Sequence, residues 1–552
     1  MRTIVFVVIL GFALRMVGLS SYPAGFSADE VNQGYTAYSI LKTAHDEWGE
    51  FMPIAPRSYG DYRAPLYTYL TVPSVLFFGL NEFAVRFPSA VAGTLAIVVV
   101  YLLALELAKK LKEGKSLALW SAFFLAISPW HISLSRGAFE PNLPVLLIPA
   151  GVLFFIKALE NKKYMLLAAL FFSLSLFAYY SSKFLVPVVL VLLFLCFIKE
   201  KGIKFIENYK LAILIMAVFS AVAFYTMFAG SSTRVADVSI VGETSWHAVS
   251  EIRYNAVLLG LPDVLARVFN NKFTYVLELF TRNYLDYFST RFLFTQGAGE
   301  ATYGMMPGMG LLYLIEFLFL LVAAVYVIFK KLIKFPLVIF ILGMLLVAPI
   351  PAALTTGPGM AANRAAMMMP WIQIFSSLGA YVLFKQFSNK YLRVAAGIYL
   401  IAAITFFLQV YYFRAPIENA RSMSYGWREA AKYIKSAEPF FDRIVVSKSF
   451  SEPQMFVAFY LALDPNVVQA ESKDWLRYED EGRKFVDQLG QYRLGKFIFK
   501  GIELSDIEAV NTLVMGMPKD LPGIVPDYVV YYPDGKEAIY FVSSQEIYAR
   551  GL

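Results

Sequence analysis

The stretch VAGTLAIVVVYLLALELAKKLKEGK, residues 91–115, runs from an apolar segment, charged only at Glu106 near its end, straight into four lysines within seven residues. An apolar run of that length is a membrane-span pattern, since a helix needs about 17–25 such residues to cross the hydrocarbon core. A basic cluster closing it marks the cytoplasmic end. The same unit recurs along the chain. Apolar runs lie near 3–20, 85–108, 117–132, 143–159, 164–180, 183–198, 211–229, 308–329, 335–353, 365–384 and 394–412. Short basic loops alternate with longer loops rich in aromatic residues, Gly and Pro. The basic set is KKLKEGK (109–115), NKK (161–163), KEKGIKFIENYK (199–210), KKLIK (330–334) and KQFSNKYLR (385–393).

Composition agrees. Of 552 residues, 58% are hydrophobic and 16% charged, where a soluble protein carries about 25% charged residues; mean hydropathy is +0.57. The sequence therefore predicts a polytopic α-helical membrane protein of about eleven spans. The net charge of +8 is distributed as orientation signals, so it gives no reason to expect nucleic acid as a partner. One cysteine, Cys196, excludes a disulfide framework and a thiolate metal cluster, and His45, His131 and His247 are too scattered in sequence for a histidine metal site. Met1-Arg2 followed by an apolar run resembles a signal peptide, but no small-residue cleavage pattern follows, so an uncleaved first span is expected.

With a cytoplasmic N-terminus, eleven spans put every basic loop inside. The run APLYTYLTVPSVLFFGL (64–80) would invert all later loops if it spanned, so it is expected as a helix in the outer interface. Residues 20–84, 131–142, 230–307 and 354–364 then become extracytoplasmic loops of a membrane domain, 1–415. From 416 to 552 the pattern changes. SYGWREAAKYIKSAE (424–438) predicts an amphipathic helix, RIVVSKS (443–449) a strand, and SEPQMFVAFYLAL (451–463) another helix. DYVVYYPDGKEAIYFV (527–542) predicts a hairpin turning at Asp534-Gly535. This tail reads as a small extracytoplasmic α/β domain.

The charged residues that could do chemistry gather on the expected outer face. In SYPAGFSADEVNQGYTAYSIL (21–41), Ser27 and Glu30 fit a capping box that starts a helix. That structural reading leaves Asp29 unexplained, and carboxylates kept at a membrane rim are usually used. A helix N-terminus favours a carboxylate anion, the form a general base needs. SYGDYRAPLYTYL (58–70) places Asp61 and Arg63 before Pro65, either as a solvated loop pair or as interfacial site residues. SPWHISLSRGAFEPN (128–142) carries Trp130, expected as an interfacial anchor, and His131, Arg136 and Glu140 as functional candidates; Arg136 and Glu140 alternatively form a structural i,i+4 pair. TTGPGMAANRAAMMMP (355–370) sets Arg364 at the mouth of a span, and a guanidinium suits phosphate. Glu316, inside LLYLIEFLFLLV (311–322), reads as mid-span: a functional acid or an interhelical hydrogen bond.

Taken in order, these segments resemble the GT-C membrane glycosyltransferases that use polyprenyl-phosphate sugars, in the branch of the protein O-mannosyltransferases and the lipid A aminoarabinose transferase. The likeness rests on Asp29-Glu30, on Asp61-Tyr62-Arg63-Ala64-Pro65-Leu66, on FFGLNEFAVRFPSAVAGTL (77–95) and on PWHISLSRGAFEPN (129–142), and is strongest over 1–180. The family often has Lys-Pro-Pro where this chain has Arg63-Ala64-Pro65, and no Trp-Trp-Asp motif links it to the oligosaccharyltransferases. The resemblance implies an inverting transfer from a polyprenyl-phosphate-linked sugar donor to an extracytoplasmic acceptor (protein, lipid or glycan). Asp29 would be the base, supported by Glu30. Arg63, Arg136 and Arg364 would face the leaving phosphate, while Asp61 would bind acceptor or metal. His131 and Glu140 complete the expected substrate-binding set. Carboxylates without histidines suit Mg²⁺ or Mn²⁺ if a divalent cation is used. The competing class is a transporter or lipid flippase, which calls for charges along a path through the bilayer rather than on one face.

Overall fold

The computed structural model describes residues 2–543 except 61, 110–113, 199–208, 229–238, 300, 307, 333–334, 357–359 and 388. Each of the eleven apolar runs contains a helix. In chain order the helices that build the site are α1 (Arg2–Met16), α2 (Ala28–Thr43), α3 (Pro65–Phe78), α4 (Glu82–Leu107), α5 (Gly114–Ile127), α6 (Pro129–Ser135), α7 (Asn142–Ala158), α8 (Tyr164–Leu176), α9 (Tyr180–Leu193) and α10 (Lys210–Phe228). They continue with α11 (Glu243–Leu258), α12 (Asp263–Phe269), α13 (Lys272–Asp286), α14 (Leu314–Phe329), α15 (Pro336–Val347), α16 (Trp371–Gln386) and α17 (Lys390–Gln409). Six helical segments among the described residues are long and apolar enough to cross a membrane unaided, and the bent pair α5–α6 makes a seventh. Helices α3, α7, α8 and α14 are apolar but shorter.

Helix α4 is the centre of the bundle, packed against α1, α5, α6 and α7, while α7 pairs with α8 and α14 with α16. The last pair meets backbone to backbone. A Cβ on Gly379 would lie 1.7 Å from the Phe319 carbonyl oxygen, so only glycine fits there.

Two expectations need correction. The segment 131–142 is not an open loop. After a 57° bend Pro129 restarts a helix, with the Ser128 hydroxyl accepting from the His131 N–H. Nearly every residue from 128 to 142 is buried, Glu140 being the partial exception. Trp130 is accordingly a core residue rather than an interfacial anchor, its Nε1 donating to the Ala362 carbonyl at 3.0 Å. Glu316 is not mid-span either. Its helix begins only at Leu314, and its carboxylate accepts from the Tyr313 N–H at 3.2 Å, an N-terminal cap.

The tail contributes α18 (Trp427–Ala437), α19 (Pro453–Leu461), α20 (Pro465–Trp475) and six strands: β1 (Arg443–Ser447), β2 (Gln491–Leu494), β3 (Phe497–Lys500), β4 (Thr512–Gly516), β5 (Tyr528–Tyr531) and β6 (Glu537–Ser543). They form one sheet in the order β2-β3-β1-β4-β6-β5, with β1 parallel to β3 and β4 and the other pairs antiparallel. This sheet region does not stand apart from the helices. Val31 and Tyr35 of α2 share one apolar core with Phe456 and Phe459 of α19 and Trp427 of α18. Glu82 of α4 accepts from Arg428 and from Tyr460, each at 2.8 Å.

Candidate active site

Helix α2 starts where the sequence says it should. Ser27 is the N-cap, and its capping box with Glu30 is complete. Glu30 does more than cap. Its side chain is fully buried and takes two bonds from Arg86 of α4, Nε to Oε1 at 2.8 Å and Nη2 to Oε2 at 3.0 Å, with a third from the Ala138 N–H at 3.0 Å. Arg86 donates in turn to the carbonyls of Leu19, Pro23 and Gly25. A buried guanidinium is tolerable only with its charge paired and its donors filled, and here both conditions hold. The pair fixes the entry to α2 against α4 and the turn after α6.

Asp29, one residue earlier, is exposed and turns the other way. It lines a cavity of about 750 Å³ together with Arg63, Glu140, Lys183, Tyr303 and Arg364. The Tyr303 hydroxyl donates to Asp29 Oδ2 at 3.4 Å. Arg63 is held by Ser58 Oγ at 2.7 Å and reaches the Asp29 carbonyl oxygen at 3.5 Å. Glu140 accepts from Gln33 at 2.6 Å. Across the cavity, Arg364 donates to Thr355 Oγ1 at 2.7 Å and to the Thr356 carbonyl at 2.6 Å. Lys183, on the first turn of α9, donates to Thr226 at 3.1 Å and lies 4.7 Å from the centre of the Tyr180 ring. Phe184, Pro187 and Val188 of α9, Phe224 and Met227 of α10 and Leu354 make the remaining wall apolar. The cavity thus has charged groups beside Asp29 and a greasy flank between two helices.

Two expected members lie elsewhere. Arg136 does not face this cavity and does not use its donors on Glu140. Its nitrogens go to the Leu14, Val17 and Tyr22 carbonyls and the Tyr411 hydroxyl, at 2.8–3.3 Å. Those carbonyls include the free ones at the end of α1, the place where a helix favours a cation. His131 is also buried away from the cavity, with Nδ1 2.8 Å from Arg15 Nη2. Since a guanidinium only donates, that nitrogen accepts. Asp61 lies outside the described residues. Lys183 and Tyr303 were not singled out in the sequence. A lysine one turn into an apolar span carries a detectable signal, whereas Tyr303 is one of 35 tyrosines and carries none.

Among the described residues, the carboxylates lining the cavity are Asp29 and Glu140, set among Arg63, Lys183 and Arg364. Among the described residues no group of three or more His, Cys, Asp or Glu comes together to hold a metal ion. Three cations beside these carboxylates suit a phosphate.

Residues 62–225 match the family model described as dolichyl-phosphate-mannose-protein mannosyltransferase. The fold is similar to that of ArnT from Cupriavidus metallidurans bound to undecaprenyl phosphate, with a TM-score of 0.52 at 12% identity over 97% of both chains. The family match is confined to residues 62–225, and the likeness to ArnT is one of fold. The apo oligosaccharyltransferase of Archaeoglobus fulgidus is matched at a TM-score of 0.47 and 15% identity over 83% of this chain, which spans 63% of that one's length. No curated protein matches the chain in sequence.

Proposed function

We propose that the protein moves a sugar from a polyprenyl-phosphate donor to an acceptor on the extracytoplasmic side of the membrane, with inversion at the anomeric carbon. The isoprenoid tail lies along the apolar wall of α9 and α10, and the phosphate meets Arg63, Lys183 and Arg364. The acceptor hydroxyl or amine attacks the anomeric carbon as the carbon–oxygen bond to phosphate breaks. Its proton passes to the Asp29 carboxylate, and polyprenyl phosphate leaves carrying the electron pair. The cations act where charge develops, on the departing phosphate oxygen. Tyr303 and the Arg63 contact to the Asp29 backbone orient the base. Glu140, steadied by Gln33, serves the hydroxyls of sugar or acceptor. Glu30 and Arg136 support the site from behind. On this reading residues 1–415 are the transferase domain and 416–552 an extracytoplasmic domain docked on it, with the N-terminus cytoplasmic.

The observation that carries this reading is the sharing of one largely apolar cavity by Asp29, Arg63, Lys183 and Arg364. It suits an amphiphile with an anionic head, whereas a transporter needs a polar path continuing through the bilayer. The test is turnover by purified protein with a panel of polyprenyl-phosphate sugars and unfractionated envelope acceptors, following released polyprenyl phosphate. Release that requires both donor and acceptor is expected. Movement of intact donor across a vesicle bilayer with no release would overturn the proposal in favour of a flippase.

A further inference from the structure

Helices α11, α12 and α13 form a hairpin whose outer surface is apolar without a protein partner in this chain. Tyr254, Leu258, Leu259, Val264, Phe269 and Phe273 are all exposed, Leu259 at 90%, Phe273 at 73% and Val264 at 72%. The turn between α11 and α12 reads Leu258-Leu259-Gly260-Leu261-Pro262. A turn in water is normally built from polar residues, and a contiguous apolar patch of this kind marks an interaction surface.

The hairpin is well built rather than frayed. Asn271 caps α13 through a complete capping box, Arg253 of α11 donates twice to the Asn270 carbonyl at 3.2 and 3.1 Å, and the Lys272 ammonium lies 4.4 Å from the Trp246 ring centre. Arg267 and Asp263 pair at 2.8 Å. Arg253, Lys272 and the exposed Arg267–Asp263 pair thus find their partners within the hairpin. The other face of α13 is locked to one end of the candidate span Pro336–Ala353, with the Tyr284 hydroxyl on the Leu346 carbonyl at 2.7 Å and Asn283 on the Ala353 carbonyl at 3.2 Å. That end of the span also borders the cavity, through Pro351, Leu354 and Thr355. Leu346 is itself exposed on a helix long enough to cross the bilayer, and Leu285 of α13 is exposed near it. The apolar surface of the hairpin is thus continuous with a surface that faces lipid.

We propose that residues 254–273 are a membrane-interface anchor, seated with their apolar face in the headgroup and upper acyl region beside the mouth of the cavity. Exposed apolar side chains alternating with exposed, ion-paired charges such as Arg267–Asp263 are the pattern of an interfacial helix. The role goes beyond sugar transfer and stands whether or not that reading holds, because it depends only on the chain being in a membrane.

The test uses the full-length protein with Cys196→Ala, reconstituted in phosphatidylethanolamine–phosphatidylglycerol vesicles and spin-labelled at Leu259→Cys or Phe269→Cys. Val525→Cys, exposed at 87% in the tail, gives the aqueous reference. Oxygen and a water-soluble nickel chelate compete to relax each label. The expected result is a several-fold higher oxygen-to-nickel ratio at 259 and 269 than at 525, reporting a depth of about 5–10 Å. A ratio equal to that at 525 would overturn the proposal. So would low access to both reagents, or broadening between labels, which would mean a protein partner or a second copy covers the patch.

Discussion

At the residue scale, neighbouring acids have opposite environments because successive residues of a helix point about 100° apart. Glu30 is buried on Arg86, while Asp29 opens to the cavity. Glu30→Ala leaves a buried guanidinium unpaired and is expected to cost about 3–5 kcal/mol, read as a lower midpoint of thermal unfolding in detergent. Arg136 and Arg63 separate in a different assay. Arg63→Ala should reduce turnover by about 10²–10³-fold, as removal of a donor to developing charge does, with the fold intact by circular dichroism. Arg136→Ala should lower the unfolding midpoint and leave the KM for donor unchanged. A raised donor KM in Arg136→Ala would restore it to the site. Asp29, Arg63, Glu140 and Arg364, singled out from residue type and position on one expected face, line one cavity. Arg136 and His131 could not be assigned, because a buried cation on helix-end carbonyls and a phosphate-binding cation look alike until the partner helix is seen.

At the element scale, α2 joins the membrane bundle to the sheet region. A Cβ on Gly34 would sit 2.6 Å from both the Phe459 ring of α19 and Val85 of α4. Gly34→Ala is expected to cost about 1–3 kcal/mol by overpacking; Phe459→Leu in the same chain should recover part of it, checked by a double-mutant cycle in thermal unfolding. The loop after α2 adds a pH dependence. Burial, with Asp46 alongside, pushes the Glu47 carboxyl up to about 8 from its ordinary 4.5, although Arg63 and the Thr36 hydroxyl act the other way. The folded protein therefore holds a proton that the unfolded chain loses near 4.5, and stability falls as pH rises from there through about 8. Glu47→Gln should flatten that fall in unfolding midpoints between pH 5 and 8. Ser472 of α20 donates to the Glu47 carbonyl at 2.8 Å, so docking of the tail onto this loop should follow the same trend. Long periodic elements were legible: the apolar helices, the amphipathic α18, and the hairpin of β5 and β6 on Asp534-Gly535. The parallel pairing of β1 with β3 and β4 was not, because a crossover is set by what packs beneath the sheet.

At the scale of the whole molecule, the account joins a largely apolar cavity, a fold similar to that of ArnT and a tail that shares its core with α2. Orientation is expected to follow the basic loops. In intact cells a membrane-impermeant thiol reagent should label Val525→Cys and spare Lys163→Cys, both on Cys196→Ala; the reverse pattern would turn the protein over. The central claim is that Asp29 is the base for transfer from a lipid phosphate. The most direct measurement is the single-turnover rate of polyprenyl phosphate release by purified Asp29→Asn beside the unaltered protein, at matched unfolding midpoints. A loss of about 10²–10⁴-fold, the worth of a positioned general base, is the expected result, and release at the unaltered rate would contradict the account.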